Sequence, residues 1–348
     1  MADTQSLATS TMKAGKAALH YAGPLAFAPE GVLLVGDSIA GAVFALDTGD
    51  TKPGPAGKLN IANLSEKVAA MLGATVEEIS IRDMAVNPLS GNVYISVGRG
   101  RGVDATPVIL KSDRAGNLSE LSLDNIKHAS VSISDGPAHD AVDARGNKRR
   151  SDTITDLGFV DGKVVVAGIS NEEFSSVLRA YAYPFTGETK GANIEIYHGA
   201  HGKYETNAPI RTFIPYDVDG KKTILATFTC TPLVKIPVGE LQPGAKVKAT
   251  TIAELGNMNR PLDMIAYKQA GHDYILLANS HRGLMKIDAD NLEQYHPITE
   301  HVKATKGVPY STVEELKGVT RLAKLDDGNA LIMIADGANA SLQTIALP

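Results

Sequence analysis

Six times along the chain a short apolar run is followed by a Gly-containing turn, a second run richer in Val, Ile and Leu, a small or polar turn, and a third, alternating run. Alternation with a period of two marks a strand with one buried face, and a short continuous apolar run suits a strand covered on both faces. The segments read PLAFAPEGVLLVGDSIAGAVFALD from Pro24, DMAVNPLSGNVYISVGRGRGVDATPVILKSD from Asp83, DLGFVDGKVVVAGISNEEFSSVLRAYAYP from Asp156, RTFIPYDVDGKKTILATFTCTPLVKIPV from Arg211, DMIAYKQAGHDYILLANSHRGLMKID from Asp263 and RLAKLDDGNALIMIADGANASLQTIALP from Arg321. Their first turns, Glu30-Gly31, Ser90-Gly91, Asp161-Gly162, Asp219-Gly220, Ala270-Gly271 and Asp327-Gly328, carry the residues with which hairpins reach positive φ.

The first strands open roughly 60 residues apart, a period at which three or four antiparallel strands repeat in β-propellers. The pattern therefore predicts an all-β protein, a six-bladed β-propeller spanning 1–348 as one domain, with seven blades as the runner-up. Fourth strands are expected over 57–64, 118–124, 192–199, 246–256 and 294–302. The sixth unit has no fourth strand of its own, so the N-terminal run TQSLATSTMK is expected to close the ring in the same blade as the C-terminal strand. Two short helical pieces are expected, 65–74 with Ser65 as its cap and 311–316. The polar stretch 125–154, holding Lys148, Arg149 and Arg150, reads as an insertion loop between the second and third blades and as the place where a seventh blade would have to lie.

Composition narrows the partners. With 34 basic against 39 acidic residues the net charge is −5, so no positive field holds a polyanion and nucleic acid is not an expected partner. The longest apolar stretch is broken by Asp37 and several glycines, so no membrane insertion is expected. The one cysteine, Cys230, forbids an internal disulfide. The N-terminal residues lack the basic and apolar regions of an export signal, and a mature form beginning at Ala2 is expected, periplasmic or secreted, with a cytoplasmic protein as the alternative.

In a propeller blade the loop entering the innermost strand and the turn between the second and third strands share one face, where ligand sites gather. Those positions hold Arg82, Asp83, Asp156, His198, His201, Glu205, Arg211, Asp263 and Arg321 on the entry side and Cys230, His281 and Arg282 on the turns. The opening residues Asp83, Asp156, Arg211, Asp263 and Arg321 would form one level of three acids and two bases. Either they neutralise one another in a salt-bridge ring, or the carboxylate left over meets a cation or a substrate.

The string HGAHGKYETNAPIR places His198, His201 and Glu205 on a Gly-rich stretch. Three readings stay open: two imidazoles on one metal with Glu205 as ligand or base, a catalytic imidazole without metal, and imidazoles bonded only to the protein. His281 is the expected third imidazole. Cys230 reads as a buried small hydrophobe or as a soft ligand beside His201.

The repeats, DMAVNPLSGNVYISV and RLAKLDDGNALIMIAD above all, resemble those of the six-bladed NHL, YVTN and lactonase-like β-propellers, over nearly the whole chain at the level of the fold. The lactonase resemblance implies a channel calcium with Asp83, Asp156, Asn207 and Asp263 as matching candidates, although Arg211 and Arg321 stand where that family keeps neutral or acidic groups. Copper-dependent propeller enzymes bind their metal through channel-facing histidines, which His198, His201 and His281 would resemble. The expected function is a metal-dependent enzyme acting on a small polar or anionic molecule. His198, His201 and His281, with Asp83 and Asp156, are its candidate metal ligands and Glu205 or Asp263 its base, while Arg82, Arg211 or Arg282 hold the substrate's charge. A redox metal such as copper suits the imidazoles, and calcium suits the acids. The alternatives are a calcium-dependent lactonase-like hydrolase and a noncatalytic propeller that binds a ligand or a protein partner.

Overall fold

A computed structural model describes residues 7–143 and 145–348, which fold into six largely antiparallel sheets, the six blades of a β-propeller. In the second blade the strands Ile79–Val86, Val93–Arg99, Thr106–Ser112 and Leu118–Glu120 lie side by side in chain order. The third runs Asp156–Val160, Lys163–Ile169, Ser176–Ala182, Ala192–His198 and Lys203–Glu205, with Lys246–Lys248 added in parallel to Ala192–His198. The fourth holds Ile210–Val218, Lys221–Phe228, Pro232–Pro237, Thr250–Glu254 and Lys306–Gly307, and the fifth Pro261–Gln269, His272–Asn279, Gly283–Asp288 and Tyr310–Thr312. Among the described residues there is no seventh sheet.

The chain divides into two compact units, one of Met1–Val166, Ala180–Thr189 and Gly337–Ser341, the other of Ala167–Arg179, Lys190–Asp336 and Leu342–Pro348. In each, the second strands are the spine of the core, as their unbroken apolar runs require. Val32, Leu34, Val164 and Val166 lie in one buried cluster of the first unit, and Leu225, Leu233, Ile252, Leu277 and Met285 in one of the second. At four first turns both predicted residues take positive φ, at Glu30-Gly31, Asp161-Gly162, Asp219-Gly220 and Ala270-Gly271. Gly91 does so alone, and Asp327-Gly328 turns without positive φ.

The outer strands differ most from expectation. The fourth strand of the first blade is Ile126–Ser132, whose residues His128 to Ser132 pair with Leu46 to Ala42, and Lys13–Gly15 adds a fifth beyond it. The 125–154 segment thus begins by supplying a strand to the first blade. Residues 57–64 serve the sixth blade, where Asn60–Ile61 lies beside Asn339–Ala346. An N-terminal segment does complete the C-terminal blade, but it is Asn60–Ile61 and not the TQSLATSTMK run. Residues 4–6 of that run, and the expected start at Ala2, lie outside the described residues; the rest forms a short 3-10 turn, Leu7–Thr9, on the way to Lys13. Both segments are anchored by apolar residues, but in different cores: Leu59 and Ile61 are buried, while Ala8 and Met12 of the TQSLATSTMK run pack into the cluster that holds Val32, Leu34 and Val131 of the first blade. In the fifth blade Tyr310–Thr312 takes the outer place expected for 294–302, so 311–316 is not a helix.

The expected helix forms over Leu64–Leu72. Ser65 lies inside it and does not cap it; its Oγ accepts the Ala340 amide at 2.9 Å. Among the described residues no helix is long and apolar enough to cross a membrane.

Asp50, just beyond the first blade, ties the second blade to it. Its carboxylate accepts the Ser90 hydroxyl at 2.8 Å, the Asn92 amide at 3.0 and 3.1 Å and the Tyr94 hydroxyl at 3.0 Å, with Lys111 at 3.3 Å. Burial pushes its pKa up, but these bonds outweigh it and hold the carboxyl below its ordinary value. Asp50→Asn is expected to cost about 1–3 kcal/mol in urea unfolding at pH 7. A depressed folded pKa stabilises above the unfolded pKa and is lost as pH falls through the folded one, so the gap between the two proteins should close below about pH 4. A gap independent of pH would show that the ionised carboxylate is not what matters.

Candidate metal centre

The strand Ala192–His198 does not run into a floppy loop. It turns through the 3-10 segment Gly199–His201 and Gly202, at φ 64, into the returning strand Lys203–Glu205, with His198 opposite Lys203 and Ile196 opposite Glu205. This short hairpin places one carboxylate between two imidazoles: Glu205 Oε2 is 2.7 Å from His198 Nδ1 and Oε1 is 2.7 Å from His201 Nδ1. The two rings lie 3.9 Å apart, tilted by 38°. Burial alone would raise the Glu205 pKa; the two imidazole bonds overcome it and bring it to about 2.

An ionised carboxylate only accepts, so each Nδ1 donates to Glu205, and Nε2 is the nitrogen of each ring left to meet another group. His198 is almost wholly buried, and its Nε2 has no hydrogen-bond partner. A buried imidazole nitrogen without a partner is costly unless something else meets it. Beside it, the Gly199 amide donates to Glu254 Oε1 at 2.5 Å, while Oε2, also buried, has no partner. Burial pushes the Glu254 pKa up, opposed by the nearby His198 and by backbone amides. Residue 199 must be glycine for this approach, since a Cβ there would stand 2.9 Å from Glu254 Cγ.

The third member arrives from the fourth blade. The turn between Lys221–Phe228 and Pro232–Pro237 bends through Cys230 at φ 66 and Thr231 at φ 58. Left-handed backbone at two successive residues without glycine costs on the order of 1–3 kcal/mol each, most for the β-branched Thr. It is held by the Cys230 amide on Asn259 O at 2.7 Å, the Thr231 amide on Phe228 O at 2.9 Å and the Thr231 hydroxyl on Gly256 O at 2.6 Å. The bend puts Cys230 Sγ with one ring nitrogen each of His198 and His201, all within 4.8 Å of one another. Arg211 Nε donates to Thr229 Oγ1 at 3.1 Å, next to the turn.

Of the other expected residues in this unit, Asp263 Oδ2 accepts the Leu322 amide at 2.7 Å and Oδ1 the Met264 amide at 2.7 Å. The expected level of charges breaks at Arg211. A register shift at the start of four first strands places Arg211 in the bulge, with Arg82, Leu262 and Thr320 at the matching positions, while Thr212 aligns with Asp83, Asp263 and Arg321. His281 is not a member of the cluster of ligand atoms; it is exposed, its Nδ1 at 2.7 Å from Ser280 Oγ. Its amide donates to Asn259 Oδ1 at 3.1 Å, so the residue that accepts from Cys230 also receives the His281 loop. Arg282 donates to Asn257 O at 3.2 Å.

In the other unit, Asp83 Oδ2 accepts the Leu25 amide at 2.7 Å and Asp156 Oδ1 the Leu157 amide at 2.8 Å. The Arg82 guanidinium lies over the Tyr21 ring at 3.7 Å and donates to Ala22 O at 3.2 Å; burial lowers its pKa. Sequence reasoning missed Glu254 and Asn259, which carry no motif. The faint signal for Cys230 was a tight turn, TCTP, lacking the Gly or Asn that its backbone calls for.

No protein-family model matches the chain, and no curated protein matches it. Among solved structures it is similar to a glucose dehydrogenase, 12% identical over 97% of this chain and 100% of that one, with a TM-score of 0.38. It is also similar to the PQQ-bound aldose sugar dehydrogenase of Streptomyces coelicolor, 10% identical over 96% and 98%, TM-score 0.35. A streptogramin B lyase is 11% identical over 97% of each chain, TM-score 0.31.

Because the Glu205 pKa is depressed, its contribution to stability is present above its ordinary value near 4.5 and is lost as pH falls toward 2. Glu205→Gln is therefore expected to unfold at lower urea than the parent at pH 6, with the two midpoints converging between pH 4.5 and 2. Parallel pH profiles for the two proteins would show that the imidazole–carboxylate clamp does not stabilise the fold.

Proposed function

We propose that the chain is a metal-dependent propeller enzyme acting on a small polar or anionic molecule, with its metal held by His198 and His201 through Nε2 and by Cys230 through sulfur. The observation that carries this reading is the buried, unpartnered Nε2 of His198 beside a second imidazole and a thiol. Two imidazoles and a sulfur form a borderline-to-soft donor set that suits copper or zinc, whereas calcium takes oxygen ligands. The Asp83, Asp156 and Asp263 carboxylates, each engaged by a backbone amide, lend the calcium alternative less support.

Bound there, a transition metal supplies electron transfer or Lewis-acid polarisation of a substrate oxygen. The protein does the rest. Glu205 fixes both rings by accepting their Nδ1 protons, the arrangement that raises imidazole basicity and orients ligands in metal sites. The Cys230–Thr231 turn holds the thiol toward the imidazoles before any ligand arrives. Glu254, buried beside His198 with a free oxygen, is placed to hold a proton.

Elemental analysis of untagged protein offered copper, zinc, iron and calcium in turn tests the proposal. About one copper or zinc per chain is expected, lost in the His198→Ala/His201→Ala variant with the far-ultraviolet circular dichroism unchanged, and bound at least tenfold more weakly by Cys230→Ser. Calcium alone, or no metal, sinks it.

A second reading is favoured by one observation, the left-handed backbone at Cys230. Thiol catalysis would use Cys230 as nucleophile, His198 as its base and Glu205 as the group orienting the imidazole. It predicts that chelator-treated protein is alkylated by iodoacetamide at pH 6 far faster than a free thiol, and that His198→Ala abolishes the excess.

A further inference from the structure

A cleft of about 610 Å³ opens in the second unit beside the fifth- and sixth-blade turns, with His281, Arg282, Tyr310, Glu314 and Lys317 among its lining residues. Its size is that of small-molecule sites, a few hundred to about a thousand Å³. Its charges are unbalanced. Elsewhere in this unit lysines sit on acids, Lys222 on Asp217 at 3.1 Å and Lys268 on Asp273 at 2.8 Å. Arg282 and Lys317 form no ion pair within 4.0 Å among the described residues, and the single lining acid, Glu314, leaves the cleft with a net positive charge.

Arg282 is also fixed in place. Gly256, at φ 110, leaves room for the guanidinium to lie against the backbone: a Cβ there would stand 2.5 Å from Arg282 Cζ. One Nη2 hydrogen is spent on Asn257 O, and the remaining guanidinium donors are available to a ligand. A guanidinium held in advance loses little freedom on binding, which is what makes Arg effective at planar carboxylate and phosphate groups. Tyr310, Ser280 and Thr312 add hydroxyls around the same space.

We infer that this cleft binds a small organic anion, with Arg282 and Lys317 taking its carboxylate or phosphate and Glu314 accepting a hydroxyl or amine hydrogen. Asn259 joins the cleft to the Cys230 turn, since its backbone oxygen accepts from Cys230 and its side chain from His281. The anion site nevertheless stands on its own residues and does not require a metal.

Isothermal titration calorimetry of the full chain at constant ionic strength, with inorganic phosphate and with succinate as separate probes, tests it. Saturable binding of one or both is expected, weakened roughly tenfold or more in Arg282→Gln and in Lys317→Gln and unchanged in Lys222→Gln. Binding of phosphate alone assigns a phosphoryl ligand, and of succinate alone a carboxylate. The His198→Ala/His201→Ala variant should keep anion binding, so this inference and the metal proposal fail separately. Binding of neither probe, or equal binding by the parent and both cleft variants, overturns it.

Discussion

One carboxylate organises the candidate centre. Glu205 reaches two imidazoles through separate oxygens, and in doing so decides which nitrogen of each ring faces inward. Everything chemical about the site follows from that decision, because Nε2 is the nitrogen left to meet a ligand, and on His198 it is buried without a partner. The cost of burying Glu205 is met by the two bonds it accepts, which is why its carboxyl ionises more readily than an ordinary one despite its surroundings.

Against this clamp the structure sets a strained turn. Cys230 and Thr231 both occupy left-handed backbone, and three backbone partners with one hydroxyl bond hold them there. A turn of ordinary sequence would place Gly or Asn at such positions, so the chain spends stability to aim a sulfur. Glu254 shows a similar tension, buried with one oxygen bonded and the other without a partner. Three departures from local stability within one small region, a strained turn and two unpartnered polar atoms, are the pattern expected of a functional site.

Carboxylates elsewhere in the blades do quieter work. Asp83 and Asp263 each accept a backbone amide from the first strand of a neighbouring blade, Leu25 and Leu322, and Asp50 gathers four side chains of the second blade. Acids that look alike in the repeat pattern thus divide into those that join blades and the one that orients imidazoles. The division depends on which partners surround each oxygen, and spacing along the chain does not record it.

The fold was legible because it is written in local terms. Alternation, unbroken apolar second strands and turn residues at each hairpin determine six blades, since each can be read within about ten residues and they agree with one another. His198, His201 and Glu205 were also legible together, because they lie within eight positions on one hairpin. The tertiary structure alone decided the outer strands, where Ile126–Ser132 joins a blade that begins about a hundred residues earlier and Asn60–Ile61 joins the last. It alone replaced His281 by Cys230 as the third member of the cluster and shifted Arg211 out of register by one bulge. Sequence carries periodicity and turn chemistry; which distant side chains share a few ångströms is set by how the blades pack, and no local pattern encodes that distance.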